Sequence, residues 1–200
     1  LTGRKTIVLS MPIKQIKSQH DLSVKHGNWL ATKHKNIEYK LVDLEELFRS
    51  FEKTLNEFVN QHGFANSRAR LRMATLYQVA AANSGIVVGT GNKVEDFGVG
   101  FYTKYGDGGV DISPIADCTK TQVWELGKHL GIVKEIIDAD PTDGLWNDGR
   151  NDVDQLGMNY EELEKAMTNL NDPNYKKYLE IRKKNLHKIN PIPVCKFDDL

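Results

Sequence analysis

Cysteine is scarce in this 200-residue sequence: Cys118 and Cys195 stand alone with no C-x-x-C spacing, which argues against both a disulfide framework and a zinc site. A reducing, cytosolic compartment is the expectation. Long apolar runs are missing too. None approaches the roughly 18 residues that a membrane helix needs, and Leu1-Thr-Gly-Arg-Lys5 has no signal-peptide core, so no membrane role is expected. Neither charge is in excess, since 27 basic and 27 acidic side chains cancel and leave no global positive field to hold a nucleic-acid backbone. Small-molecule chemistry becomes the better expectation. The absent initiator Met points to a truncated beginning. With 40% hydrophobic residues, a chain of this length buries a core without cross-links, and residues 1–200 read as one domain.

What is present is an alternation of strand and helix patterns. Ile7-Val8-Leu9 is a β-branched run closed by Pro12, as expected for a buried strand of a parallel sheet. Ser18 to His34 carries Leu22, Trp29 and Leu30 at helical spacing, and Glu38 to Leu44 reads as a second strand. From Asp43, a candidate N-cap, the residues Leu47, Phe48, Phe51, Leu55, Phe58 and Val59 predict an amphipathic helix that stops at His62-Gly63. Another helix is predicted from about Asn66 to Asn83, with Ala69, Met73, Leu76 and Ala80 on one stripe. At about 100° per residue, Arg70 points well over a right angle away from Arg68 and Arg72. It therefore has a separate task.

Ile86-Val87-Val88 reads as a buried strand, and Gly89-Thr90-Gly91-Asn92 as the loop at its carboxyl end, the edge where open α/β sheets bind ligands. Residues 93–117 are Gly-rich and nearly aperiodic, which inside a compact domain indicates a functional loop. Thr119 can cap a helix in which Val123, Leu126 and Leu130 face the core, residues 141–157 are irregular, and polar helices are expected near Tyr160 to Leu170 and Pro173 to Lys188. The β-α-β-α-α-β order indicates an α/β fold: a doubly wound, largely parallel sheet with helices on both faces and a helical C-terminal appendage.

Two glycine pairs invite misreading. Gly89-Thr-Gly91 and Gly98-Val-Gly100 begin like the dinucleotide fingerprint G-x-G-x-x-G, but Val94 and Thr103 stand where its third glycine belongs, which disfavours a hydride-transferring Rossmann enzyme. Asp148, Asp152 and Asp154 do not follow the spacing of a calcium loop and read as solvated.

The informative segment is Gly89-Thr-Gly-Asn-Lys-Val-Glu95 followed by Phe101-Tyr-Thr-Lys-Tyr-Gly-Asp-Gly-Gly-Val-Asp111. It resembles the NAD synthetases, whose Thr-Lys-Tyr-Gly-Asp-Gly-Gly stretch stands unbroken at Thr103 to Gly109. Further matches are Arg68-Ala-Arg-Leu-Arg-Met73, Ser113-Pro-Ile-Ala-Asp117, Pro141-Thr-Asp-Gly-Leu145, Asp154-Gln-Leu-Gly157 and His187-Lys188. The resemblance implies ATP-dependent amidation of nicotinic acid adenine dinucleotide (deamido-NAD) to NAD through an acyl-adenylate, with AMP and pyrophosphate released. It implies Mg²⁺ held by Glu95, ATP bound by Thr90, Lys120 and Thr142, and dinucleotide bound by Arg70, Lys104, Asp111, His187 and Lys188. A lid at Pro141 to Asp152 and a homodimer, with Tyr77 to Ala81 near its interface, follow from the same likeness.

One departure qualifies the resemblance. The family carries a Ser-Gly-Gly-x-Asp-Ser phosphate loop after its first strand, and no such loop occurs in residues 1–200. The first strand, that loop, the first helix and one metal-binding Asp are absent from the sequence. Free ammonia and glutamine both remain open as nitrogen donors. The competing readings are another amide-forming ATP pyrophosphatase and a non-catalytic dinucleotide-binding module.

Overall fold

The computed structural model describes residues 3–146 and 148–197. Strand β1 (Thr6–Ser10) pairs in parallel with β2 (Ile37–Leu41), Thr6 opposite Ile37 and Ser10 opposite Leu41. Helix α1 (Lys17–Lys33) makes the crossover between them. Its packing depends on Gly27, because a Cβ there would sit 2.2 Å from the Tyr39 ring of β2, far inside van der Waals contact.

Helix α2 (Glu45–Thr54) is shorter than the apolar spacing predicts. Asn60 ends the pattern by capping a new helix, α3 (Gln61–Ala82), its side chain accepting from Gly63 N at 2.7 Å. Gly63 thus lies inside α3 rather than stopping α2, and Phe58 and Val59 are left 74% and 71% exposed. Asp43 accepts from Glu45 N, while Leu44 occupies the cap position. Phe48 is fully buried with Ile13 and Leu44, and the rings of Phe51 and Phe64 surround it. Burial of such a ring contributes about 1.5–3 kcal/mol.

Residues 86–88 differ from the expected strand. Val87 is buried, but Ile86 and Val88 are more than half exposed and pairing is limited to one parallel bridge, Val88 with Ile112. The next segment, expected to be irregular, begins with a π-helix (Lys93–Val99) whose N-terminus is capped by Asn92 and which ends at left-handed Gly100. Such helices are short and rare, and they concentrate at functional sites.

Helix α4 (Lys120–His129) starts at Thr119 as its sequence predicts, in a capping box with Gln122, but Leu126 and Leu130, expected to face the core, are 44% and 54% exposed. The short α5 (Lys134–Ile137) and α6 (Asp152–Leu156) lead to α7 (Tyr160–Thr168) and α8 (Tyr175–Ile189). These last two pack on the π-helix around a second core of Val94, Val99, Leu163 and Tyr178. The fold is α/β with a parallel sheet and a helical C-terminal part, and none of the described helices is long and apolar enough to cross a membrane.

Candidate functional site

The π-helix and the first turn of α4 bring Glu95 and Lys120 together, with Lys120 Nζ 2.7 Å from Glu95 Oε1. Both side chains are 17% exposed, so the pair is only partly screened by water. Asn92, already the cap of the π-helix, also donates from Nδ2 to Glu95 Oε2 at 2.6 Å. Tyr160 at the start of α7 places its hydroxyl 2.5 Å from Glu95 Oε1 and its ring 4.8 Å beneath Lys120 Nζ.

Behind Tyr160 lies Asp152, 2.5 Å from the same hydroxyl. It is 5% exposed, and its Oδ1 has no partner. The expectation that Asp148, Asp152 and Asp154 are all solvated therefore fails at Asp152, because the Asn151 capping box turns α6 so that this residue faces the core. Burial pushes the Asp152 carboxyl above its ordinary pKa. Burial also pushes the Tyr160 phenol up, with the Glu95 charge adding to the effect.

Lys120 opens onto a cleft of about 540 Å³ lined also by Gln15, Trp124, Thr142, Asp143 and Gly144. The hydroxyl of Thr142 donates to Arg150 O at 3.0 Å and accepts from Gly144 N at 3.1 Å, which fixes the turn on that wall. Arg72 secures Gln15, which lines the same cleft: its guanidinium donates to Met11 O and to Gln15 Oε1. Burial, reinforced by neighbouring Arg68, lowers its pKa to about 10. Arg68 reaches Leu145 O at 2.5 Å. Thr90 is exposed and is not among the residues lining this cleft.

The second group of expected residues gathers between α3, the Gly-rich loop and α8. Arg70 Nε donates to Lys104 O at 3.1 Å, and Lys104 Nζ donates to His187 O at 2.6 Å. Lys188 Nζ donates to Tyr102 O at 2.8 Å. Asp111 stands two helical turns along α3, accepting from Tyr77 OH at 3.1 Å and from Val87 N at 2.7 Å. Its carboxylate thereby holds the Ile86–Val88 segment as well as the α3 face. Arg70 is separated from Arg68 and Arg72, as the helical arithmetic requires: one arginine serves the Gly-rich loop and two serve the cleft walls.

Sequence reasoning missed Tyr160, Asp152, Gln15 and Asn92. The spacing Asn92-x-x-Glu95 is that of a capping box and could have exposed Asn92. Nothing local marks Tyr160 or Gln15, whose roles arise from contacts across 65 and 57 residues.

An α/β fold with a parallel sheet commonly binds its ligands beyond the carboxyl ends of its strands, where these cationic, amide and carboxylate side chains collect. The NAD synthase family matches residues 1–196, and the chain belongs to it. The NH(3)-dependent NAD(+) synthetase of Thermoplasma volcanium is 37% identical over 159 residues, covering 76% of this chain and 64% of that protein. Its counterpart in Mesoplasma florum is 40% identical over 153 residues, covering 74% and 60%. The chain thus spans less than two-thirds of these relatives. Among solved structures, NMN synthetase from Francisella tularensis has a TM-score of 0.88 at 30% identity, covering 98% of this chain and 81% of the other. The NH3-dependent NAD synthetase of Campylobacter jejuni, solved with a nitrate ion, has a TM-score of 0.68 at 22% identity over 95% and 77% of the two chains, which shows a shared fold.

Proposed function

We propose that this chain is the larger part of an enzyme that uses ATP to amidate deamido-NAD. A nicotinate carboxylate oxygen attacks the α-phosphorus of ATP and expels pyrophosphate. Ammonia then attacks the acyl carbon of the adenylate, a proton leaves the nitrogen, and AMP departs. The reading is carried by the Lys120–Glu95 pair at 2.7 Å on the rim of the cleft. Lys120 neutralises Glu95 when no nucleotide is bound. With a triphosphate bound, Lys120 would contact phosphate and Glu95 would be free to hold a cation.

The donor set fits Mg²⁺ in a restricted way. Glu95 Oε1 already accepts from Lys120 and Tyr160, while Oε2 accepts only from Asn92. That leaves Oε2 with room for one monodentate bond. Mg²⁺ is commonly held by one or two carboxylates together with substrate phosphates, and no group of three metal-ligating side chains occurs among the described residues. Bound there, the ion would neutralise charge on the triphosphate. Thr142 and Lys120 serve ATP, with Thr90 joining them from the turn before the π-helix. Arg70, Lys104, Asp111, His187 and Lys188 serve the dinucleotide. The protein acts in the cytoplasm as a homodimer whose substrate lies near Tyr77 to Ala81.

A second substrate reading rests on the likeness to an NMN synthetase at a TM-score of 0.88: the amidated acid is the mononucleotide. Pyrophosphate release and amide formation measured side by side with deamido-NAD and with nicotinic acid mononucleotide decide between them. Preference for deamido-NAD in kcat/KM supports the first reading. Preference for the mononucleotide supports the second, and amidation of neither acid by the complete protein overturns both.

A further inference from the structure

The first turn of α4 is held from outside the helix as well as from within it. Thr119, the N-cap, accepts from Gln122 N at 3.3 Å and donates its own N–H to Gln122 Oε1 at 2.9 Å. That exchange leaves the N–H of Thr121 without an intrahelical acceptor, as the first N–H groups of a helix are. Its partner comes from 43 residues away: Glu164 of α7 accepts from Thr121 N at 2.9 Å through Oε1 and from Thr121 Oγ1 at 2.7 Å through Oε2. Two bonds to one residue from both oxygens of one carboxylate fix the turn in rotation as well as in position. A carboxylate at a helix N-terminus is also favoured by the backbone dipoles.

Between Thr119 and Thr121 stands Lys120, which opens onto the cleft. Glu164 lies one helical turn after Tyr160, on the same side of α7. Tyr160 sets its ring 4.8 Å beneath Lys120 Nζ and its hydroxyl 2.5 Å from Glu95 Oε1, so one face of α7 holds the root of the lysine, through Thr121, and also its tip. The helix is a firm support, because Leu163 and Ala166 are fully buried in the same core as Val94 of the π-helix. We propose that Glu164 is a positioning residue of the nucleotide site: by gripping Thr121 it fixes the direction in which α4 presents Lys120 to the cleft. The inference rests on the assignment of Lys120 to ATP made above. Glu164 is not among the residues lining the cleft, and both of its oxygens are engaged by Thr121. It acts through Lys120.

Charge and position make opposite predictions at Glu164, which gives the test its sign. Deleting a negative charge near bound phosphates should by itself tighten ATP binding, whereas loss of aim weakens it. Binding of ATP with Mg²⁺ to the complete protein is measured by titration calorimetry with no acid substrate present. Lys120→Ala raises the dissociation constant on the order of 10-fold or more, as loss of a charged hydrogen bond does. Glu164→Ala raises it about 5-fold or more, while Glu164→Gln, which keeps an oxygen for Thr121 N and loses the charge, stays within about 2-fold of the parent. Glu164→Asp keeps the charge but draws it back by one methylene; it weakens binding in the same direction and stands in for the alanine variant if that does not fold. Because Glu164 acts through Lys120, adding Glu164→Ala to Lys120→Ala costs less than about 2-fold further. Gln122→Ala removes the other support of this helix start, the bond from Thr119 N, and leaves ATP affinity within about 2-fold. Tighter or unchanged binding on loss of the Glu164 grip, additive losses in the double variant, or an equal loss in Gln122→Ala overturns the proposal. An unchanged dissociation constant in Lys120→Ala is a separate result, which removes Lys120 from the ATP site and this inference with it.

Discussion

The hydroxyl of Tyr160 stands 2.5 Å from Glu95 Oε1 and 2.5 Å from Asp152 Oδ2. The one hydroxyl proton thus serves two carboxylates, while Lys120 neutralises Glu95 from the other side. Asp152 is 5% exposed, and burial raises its pKa. Tyr160 is the one hydrogen-bond partner of its carboxyl among the described residues. Tyr160→Phe keeps the ring against Trp124 but leaves Asp152 with no partner at either oxygen. A loss of about 1–3 kcal/mol in unfolding free energy is expected, read by urea titration. Wild-type stability in the variant would mean that Asp152 does not depend on the Tyr160 hydroxyl.

Glu95→Gln keeps the size of the side chain and its contact with Asn92 but removes a charged oxygen. In the complete enzyme, the Mg²⁺ concentration needed for half-maximal turnover rises and kcat falls, because a neutral amide is a poorer ligand for a hard cation. Initial rates across a Mg²⁺ series measure this. Unchanged metal dependence would take Glu95 out of the site.

Arg70 spends Nε on Lys104 O, and no other hydrogen bond of its guanidinium occurs among the described residues. Lys104 in turn binds His187 O. If this cluster holds the dinucleotide, Arg70→Ala or Lys104→Ala raises KM for deamido-NAD on the order of 10-fold or more, as loss of a charged hydrogen bond does, while KM for ATP moves little. Saturation curves for each substrate separate the two, and equal effects on both would count against the assignment.

The sequence carried the parts of this structure that depend on local chemistry. The Thr119 cap, the apolar stripe of α3 and the divergence of Arg70 from its neighbours follow from residue type and spacing, and the unbroken Thr103 to Gly109 stretch located the Gly-rich loop. Contacts between distant segments were not legible. The spacing from Leu47 to Val59 continues past the end of α2 because side-chain periodicity does not report a competing cap, and Asn60 supplied one. Asp152 resembled its exposed neighbours Asp148 and Asp154 until Asn151 oriented α6 and Tyr160 arrived from α7. Ile86-Val87-Val88 has strand composition, yet composition does not report whether a partner lies alongside, and among the described residues its pairing is limited to the bridge of Val88 with Ile112.

Asp107 gives a pH dependence with a definite sign. Burial raises its carboxyl pKa, against the lowering effects of the Thr103 N–H and of Lys188. The unfolded chain therefore ionises this group before the folded protein does, and the stability associated with it is lost as pH rises from the ordinary carboxylate range through the raised folded pKa. Asp107→Asn removes the titration and keeps an oxygen for Thr103 N. Unfolding free energies at about pH 4 and about pH 8 should show the variant losing less stability than the parent over that interval. An equal or steeper loss would mean that the charge of Lys188 outweighs burial at this carboxylate.

The remaining prediction follows from counting groups available for the charge of a triphosphate. Among the described residues, Lys120 faces the cleft, Thr142 lines its wall and Glu95 offers one free carboxylate position. No run of backbone N–H groups of the Ser-Gly-Gly-x-Asp-Ser kind occurs anywhere in residues 1–200. Adenylyl transfer depends on donors fixed in advance around developing negative charge, and removing a single such donor costs about 10²- to 10³-fold in rate. Absence of a whole backbone cradle costs more, so a polypeptide of residues 1–200 should show no measurable ATP-dependent amidation. Supplying the strand, Ser-Gly-Gly-x-Asp-Ser loop and helix that the family resemblance implies should restore pyrophosphate release and amide formation together. Clear activity from the short polypeptide would place the phosphate site elsewhere.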